Sequence, residues 1–118
     1  KDFSSALKYY NKSLKYKQRL NDGAGISTAM NNIGCIFFED KNYNKAINHF
    51  EKALSIRKKI DNKIGVSESL AGLFESYISI KNYPKAKHYI NESIRNYKKL
   101  GDDSKIKELT QKLNYLKH

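Results

Sequence analysis

Apolar and polar residues alternate along this chain with helical spacing, and the pattern recurs every forty residues. In one stretch the small or apolar side chains stand three and four positions apart: Tyr43, Ala46, Ile47, Phe50, Ala53, Leu54 and Ile60. That spacing places them on one face of an α-helix. Equivalent places forty residues earlier and later hold similar side chains, as in Tyr10, Phe50 and Ile90. The sequence therefore predicts tandem copies of one helical unit.

A second amphipathic helix precedes the first in each unit. Its small or apolar positions are Ala29, Met30, Ile33, Gly34, Ile36 and Phe37, and forty residues later Leu70, Leu73, Phe74 and Tyr77. We expect Ser27 and Ser67 to cap these helices, while Asp2, Asn42 and Asn82 cap the longer ones. The predicted helices cover residues 3–20, 27–40, 43–60, 67–80, 83–100 and 104–117.

These helices predict one domain divided into repeats. Residues 1–26 supply the second helix of a truncated repeat, 27–66 and 67–106 are full repeats, and 107–118 begin a further repeat or a cap. The 118-residue chain starts with Lys1 inside a patterned segment, so we expect it to be a fragment of a larger protein. Its loop pattern and its Lys-, Asn- and Ile-rich composition resemble repeat arrays of signalling and regulatory proteins, so we expect the larger protein to be of that kind.

The positions that recur from unit to unit resemble the pattern of the tetratricopeptide repeat family. In that family a large apolar residue, a Leu-Gly pair and a Tyr on the first helix are followed by Ala, Phe and Ala on the second. The matching residues are Met30, Ile33, Gly34, Phe37, Ala46, Phe50 and Ala53 in one unit, and Leu70, Leu73, Phe74, Tyr77, Ala86, Ile90 and Ser93 in the next. Phe74 departs from the small residue usual at its place. The resemblance implies an all-α, right-handed superhelix of antiparallel helix pairs, with extended repeats of forty residues.

The resemblance also implies a protein–protein interaction scaffold with a concave, partner-binding groove lined by the first helices. The expected groove residues are Thr28, Asn31, Asn32, Cys35, Phe38 and Glu39 in one unit, and Glu68, Ala71, Gly72, Glu75, Ile78 and Ser79 in the next. In related arrays an Asn at the place of Asn32 holds the backbone of an extended peptide, because its amide both donates and accepts hydrogen bonds. Phe38 and Ile78 should not be fully buried if this assignment is correct.

Charge divides between the two helix types. Residues 27–40 and 64–80 contain acids but no Lys or Arg, whereas the long helices are rich in lysine. We therefore expect a neutral-to-acidic groove and a basic convex face. A basic or neutral peptide segment is the expected partner. We do not expect the groove to clamp a C-terminal carboxylate, because the first helices hold no Lys or Arg for that purpose.

The formal net charge of +11 leaves two alternatives open. Nucleic acid could bind the basic convex face, although the expected recognition face lacks bases. Copies of the chain could also associate through apolar end faces.

Nothing in the sequence indicates catalysis, so we expect no enzyme activity, no cofactor and no metal. His49 and His88 lie in different units without a metal-binding pattern, and Cys35 has no neighbour that would lower its pKa. Gly23-Ala24-Gly25 is expected to close a helix–helix loop, and Asp102 with Asp103 to cap a helix. A mean hydropathy of −0.77 and a single cysteine suit a cytoplasmic protein without a membrane span.

Overall fold

A computed structural model describes residues 2–116 of the chain. Six α-helices follow one another: α1 (Phe3–Arg19), α2 (Gly23–Glu39), α3 (Tyr43–Lys59), α4 (Lys63–Ser79), α5 (Tyr83–Leu100) and α6 (Asp103–Leu116). Each packs against the next along the chain. The expected all-α solenoid of antiparallel helix pairs is confirmed. Lys1 and the last two residues of the proposed 107–118 unit, with the end of the helix predicted over 104–117, lie outside the described residues.

The turns between helices repeat every twenty residues, half the period read from the side-chain pattern. The described turns have positive φ angles of 53° at Asn21, 61° at Lys41, 55° at Asp61, 61° at Lys81 and 72° at Gly101. The left-handed residue ends the helix that precedes it. Its conformation lets the amides of the turn donate to carbonyls of the last helical turn. One residue further on stands an Asp or Asn that caps the next helix: Asp22, Asn42, Asn62, Asn82 and Asp102.

The predicted start of the shorter helices is wrong. Helices α2 and α4 begin at Gly23 and Lys63, four residues before the predicted position, and each has 17 residues. The amide of Gly25 donates to Asp22 at 3.0 Å and that of Gly65 donates to Asn62 at 2.9 Å. Ser27 and Ser67 are buried inside the helices, where their hydroxyls donate to Ala24 and Ile64 carbonyls. Residues 23–25 are therefore the first turn of α2 rather than a loop.

The caps predicted for the longer helices are confirmed. Asp2 accepts the amide of Ser5 at 3.0 Å, and Asn42 and Asn82 accept equivalent first-turn amides. Pro84 lies in the first turn of α5, where a missing N–H leaves no bond unmade. Asp102 caps α6 by accepting the amide of Lys105 at 3.1 Å.

The core is built around the aromatic ring of Phe50 on α3. Phe50 is 2% exposed, and its ring lies against two glycines from different helices. A Cβ added at Gly34 of α2 would stand 2.8 Å from the ring, and one added at Gly72 of α4 would stand 2.7 Å from it. Real Cβ atoms do not approach so closely, so the missing side chains make room for the ring.

The position of Phe50 places α2 beside α4. In the described part of the chain these two are the non-consecutive helices whose backbones approach each other closely. Helices α3 and α5 contact each other only through side chains, as in the pairs Tyr89 with Glu51 and Lys58 with Glu92. Helices α2 and α4 consequently form the inner side of the solenoid. The end helices α1 and α6 contain no buried residue among those described. None of the described helices is long and apolar enough to cross a membrane.

We expect Gly72→Ala to lower the free energy of unfolding by about 1 to 2 kcal/mol, because overpacking a core costs about 1 to 3 kcal/mol and helix propensity returns up to about 1 kcal/mol. Gly23→Ala is the matched control, since its new Cβ would meet its nearest neighbour at an ordinary 3.6 Å. Urea unfolding followed by circular dichroism measures both variants. Adding Phe50→Leu to Gly72→Ala should cost less than the sum of the two single changes; strict additivity would contradict the proposed contact.

Candidate partner-binding groove

A groove of about 640 Å³ runs between α2 and α4 on the inner side of the solenoid. Its floor is the edge of Phe50 between the two glycine-containing helices. Its lining consists of Asn31, Asn32, Cys35, Phe38, Glu39, Phe50, Glu68, Ala71, Gly72 and Glu75. Ala71 and Gly72 carry almost no side chain, so the floor consists of helix backbone and the edge of the Phe50 ring.

Most of the residues predicted to share a groove are brought together by the structure. Thr28 is exposed but lies in a neighbouring cleft between α1 and α2. Ile78 does not line the groove: it is half-buried and packs against the core, as Phe38 partly does. Ser79 is exposed and donates its hydroxyl to the carbonyl of Glu75. Whether the groove binds a partner stays a prediction.

The groove continues at both ends into smaller clefts. Asn32 is shared with the cleft between α1 and α2, which also contains Lys17. Ala71 and Glu75 are shared with a cleft toward α6, which contains Lys105 and Lys112. The central lining has three glutamates and no base among its described residues, so bases border an acidic centre.

A buried arginine that the sequence reading missed lies beneath the groove. Arg57 of α3 is 3% exposed, and its Nη1 donates to the carbonyl of Gly65 at 3.0 Å and to Ser69 Oγ at 3.1 Å. The same nitrogen lies 3.4 Å from a carboxylate oxygen of Glu68. Glu68 therefore reaches the groove with a base beside it, which weakens its negative potential.

The polar chain extends from Arg57 to the groove wall. Ser69 Oγ accepts from Arg57 and donates to Asn31 Oδ1 at 2.9 Å. Asn31 is 9% exposed and its amide oxygen is already used, so its part is largely structural. Asn32, by contrast, makes no side-chain hydrogen bond within the part of the chain that the structure describes, and it is only half-buried.

Burial of Arg57 is only partly compensated. Its Nε has no hydrogen-bond partner among the described residues. Burial lowers the pKa of Arg57, and the opposing effect of Glu68 is the smaller of the two. The room for this side chain comes from Gly65, where an added Cβ would lie 2.9 Å from Arg57 Cδ.

Cys35 is exposed at the groove and is not an activated nucleophile. Desolvation raises the pKa of its thiol most, the carboxylates of Glu39 and Glu68 raise it further, and Arg57 opposes them. The expectation that no neighbour lowers this pKa is wrong in one respect, because Arg57 does so, although the raising effects prevail. A thiol with a raised pKa is poorly suited to nucleophilic catalysis at neutral pH.

The lysines of the long helices lie on the surface away from the groove. Those picked out by the charge pattern are all exposed: Lys12, Lys15, Lys52, Lys58, Lys59, Lys98 and Lys99. His49 lies 2.9 Å from the carbonyl of Lys45, and His88 lies beside Glu92. Within residues 2–116 no group of side chains is arranged to hold a metal ion.

Comparison with known families agrees with this architecture. A family model described as tetratricopeptide repeat matches residues 1–59 and, in a second overlapping position, residues 25–99. The two matches together cover most of the chain. No curated protein gave a significant match to the sequence.

We expect Arg57→Met to lower the free energy of unfolding by about 2 kcal/mol, because the Gly65 carbonyl and Ser69 Oγ lose a buried donor while the exposed Glu68 regains water. Lys52→Met is the control on the exposed face of the same helix and should change stability by less than about 0.5 kcal/mol. Chemical unfolding measures both. Equal effects would show that the buried network contributes nothing.

We expect Cys35 to react with iodoacetamide more slowly than an unhindered cysteine at neutral pH, because a raised pKa leaves less thiolate. Glu68→Gln removes a negative charge that raises the pKa of Cys35, and it removes the partner that offsets the positive charge of Arg57. The pH profile of alkylation should therefore shift to lower pH. Asp40→Asn, which removes an exposed acid outside the groove, is the control. An unshifted profile for Glu68→Gln would contradict the electrostatic account.

Proposed function

This chain belongs to the tetratricopeptide repeat family, and on that premise we propose that its groove binds an extended peptide of basic or neutral character. Repeats of this family generally mediate protein–protein interaction and typically serve as scaffolds without catalytic activity. The chain would then act as the interaction module of a larger signalling or regulatory protein.

The observation that carries the proposal is the combination of an apolar floor with acidic walls in one groove. Phe38 and Ala71 offer apolar surface above the buried ring of Phe50, while Glu39, Glu68 and Glu75 carry the charge. A peptide bound there would bury apolar side chains against the floor and place basic side chains near the carboxylates. A peptide rich in acids would meet like charges, which disfavours it.

The position of Asn32 favours a ligand that binds as an extended peptide. Its amide stands at the junction of the groove with the cleft beside α1, with donor and acceptor both unused within the described residues. An amide in this position can accept a peptide N–H and donate to a peptide C=O, so it recognises backbone rather than sequence. Gly72, at the equivalent place one repeat later, exposes the floor instead.

The proposal is tested by selecting peptides from a phage-displayed random library on the folded chain, with washes at moderate and at high salt. Selected peptides should be basic or neutral. Their affinity for the Asn32→Ala/Glu75→Lys variant should fall at least about tenfold, or about 1.4 kcal/mol, because a backbone contact is lost and a charge is reversed.

The matched control is Asn48→Ala/Asp40→Lys, which makes the same change in charge at exposed positions outside the groove. Its peptide affinity should equal that of the wild type. An equal loss of peptide affinity in both variants would show that net charge, and not the groove, causes the effect. Retention of oligonucleotides alone, or concentration-dependent self-association alone, would reject the groove in favour of the basic face or the end faces.

A further inference from the structure

A basic cleft lies between α3, α4 and α5, separate from the groove. Its volume is about 530 Å³, and it is lined by Arg57, Lys58, Asp61, Lys63, Val66, Glu92, Arg95, Asn96 and Lys99. Five of these residues are bases and two are acids, which gives a formal charge of 5 − 2 = +3. The cleft shares none of its lining with the groove.

The two acids are already paired with particular bases. Glu92 lies 2.5 Å from Lys58, and Asp61 lies 2.9 Å from Lys63. Arg95 and Lys99 make no ion pair within the described residues, and both are exposed at the mouth of the cleft. The uncompensated charge of the cleft is therefore concentrated on the α5 side.

The buried guanidinium of Arg57 supplies the second, independent observation. Every hydrogen bond and ion pair that it makes within the described residues uses Nη1. The Nε–Nη2 edge, with which an arginine holds an oxyanion through two parallel hydrogen bonds, stays unused, and Nε is buried without a partner. A buried donor left unpaired calls for an explanation such as a missing ligand.

We propose that this cleft binds a phosphoryl group, with Arg57 in its wall and Arg95 and Lys99 at its mouth. The doubly charged oxyanion matches the excess positive charge better than a single carboxylate does. The cleft also borders the first turn of α4 through Lys63 and Val66, where the helix dipole favours an anion. A cleft of about 530 Å³ greatly exceeds a single phosphate, so there is room for part of the molecule that bears it.

The phosphoryl group can come from a free anion or from a phosphorylated partner protein. The test uses pyrophosphate, a phosphoserine peptide and the same peptide without phosphate, each titrated into the chain by calorimetry. The phosphate-bearing probes should bind and the unphosphorylated peptide should not. Tighter binding of the phosphopeptide than of pyrophosphate identifies a protein-borne phosphate, and the reverse order identifies a free anion; both results support the site.

The variant that removes the site is Arg95→Gln/Lys99→Gln, and the matched control is Lys12→Gln/Arg19→Gln on α1, with the same loss of charge. The first should weaken phosphate binding at least about tenfold, while the control stays within about twofold. Equal weakening in both, no binding of either phosphate probe, or binding of a single-stranded oligonucleotide only would overturn the proposal. A circular dichroism spectrum equal to that of the wild type shows that the cleft variant is folded, so the outcome at this site does not depend on whether the groove binds a peptide.

Discussion

The contact of Phe50 with Gly34 and Gly72 is the constraint on which the inner side of this solenoid depends. Two helices from successive repeats are brought together because each lacks a side chain where the ring lies. The same contact leaves the ring edge and a stretch of nearly bare helix as the floor of the groove. Packing and candidate function thus share the same atoms, and a change that fills the floor also moves the helices that form the walls.

Arg57 connects the helices through polar contacts, as Phe50 does through apolar packing. Its Nη1 joins α3 to α4 and, through Ser69, to Asn31 of α2. Arg57 also lines the cleft on the opposite side, and its Nε is buried without a hydrogen-bond partner among the described residues. One buried cation therefore lies between an acidic groove and a basic cleft. A buried polar network is rigid only when each of its members has a hydrogen-bond partner. A change in the packing of α2, α3 and α4 would therefore also change the charge presented by the groove and by the cleft.

The fold and most of the groove positions could be predicted from the sequence because both follow from helical spacing repeated at a fixed period. The helix starts at Ser27 and Ser67 were wrong, since a serine near a helix start can cap it or bond back within it, and the two look alike in sequence. The Asp or Asn at 22, 42, 62, 82 and 102 carried the correct signal. Arg57 was missed because its burial depends on Gly65 of another helix. Ile78 was assigned to the groove, but it is half-buried against the core because tertiary packing, not helical spacing, decides its surroundings.

The most direct measurement of the central claim uses Cys35, the single cysteine, as a reporter inside the groove. Its rate of alkylation is measured with and without a saturating peptide selected by the chain. If the peptide lies in the groove between α2 and α4, it covers the thiol and the rate falls several-fold. If the rate is unchanged while the peptide is fully bound, the peptide binds elsewhere and the groove is not the interaction site.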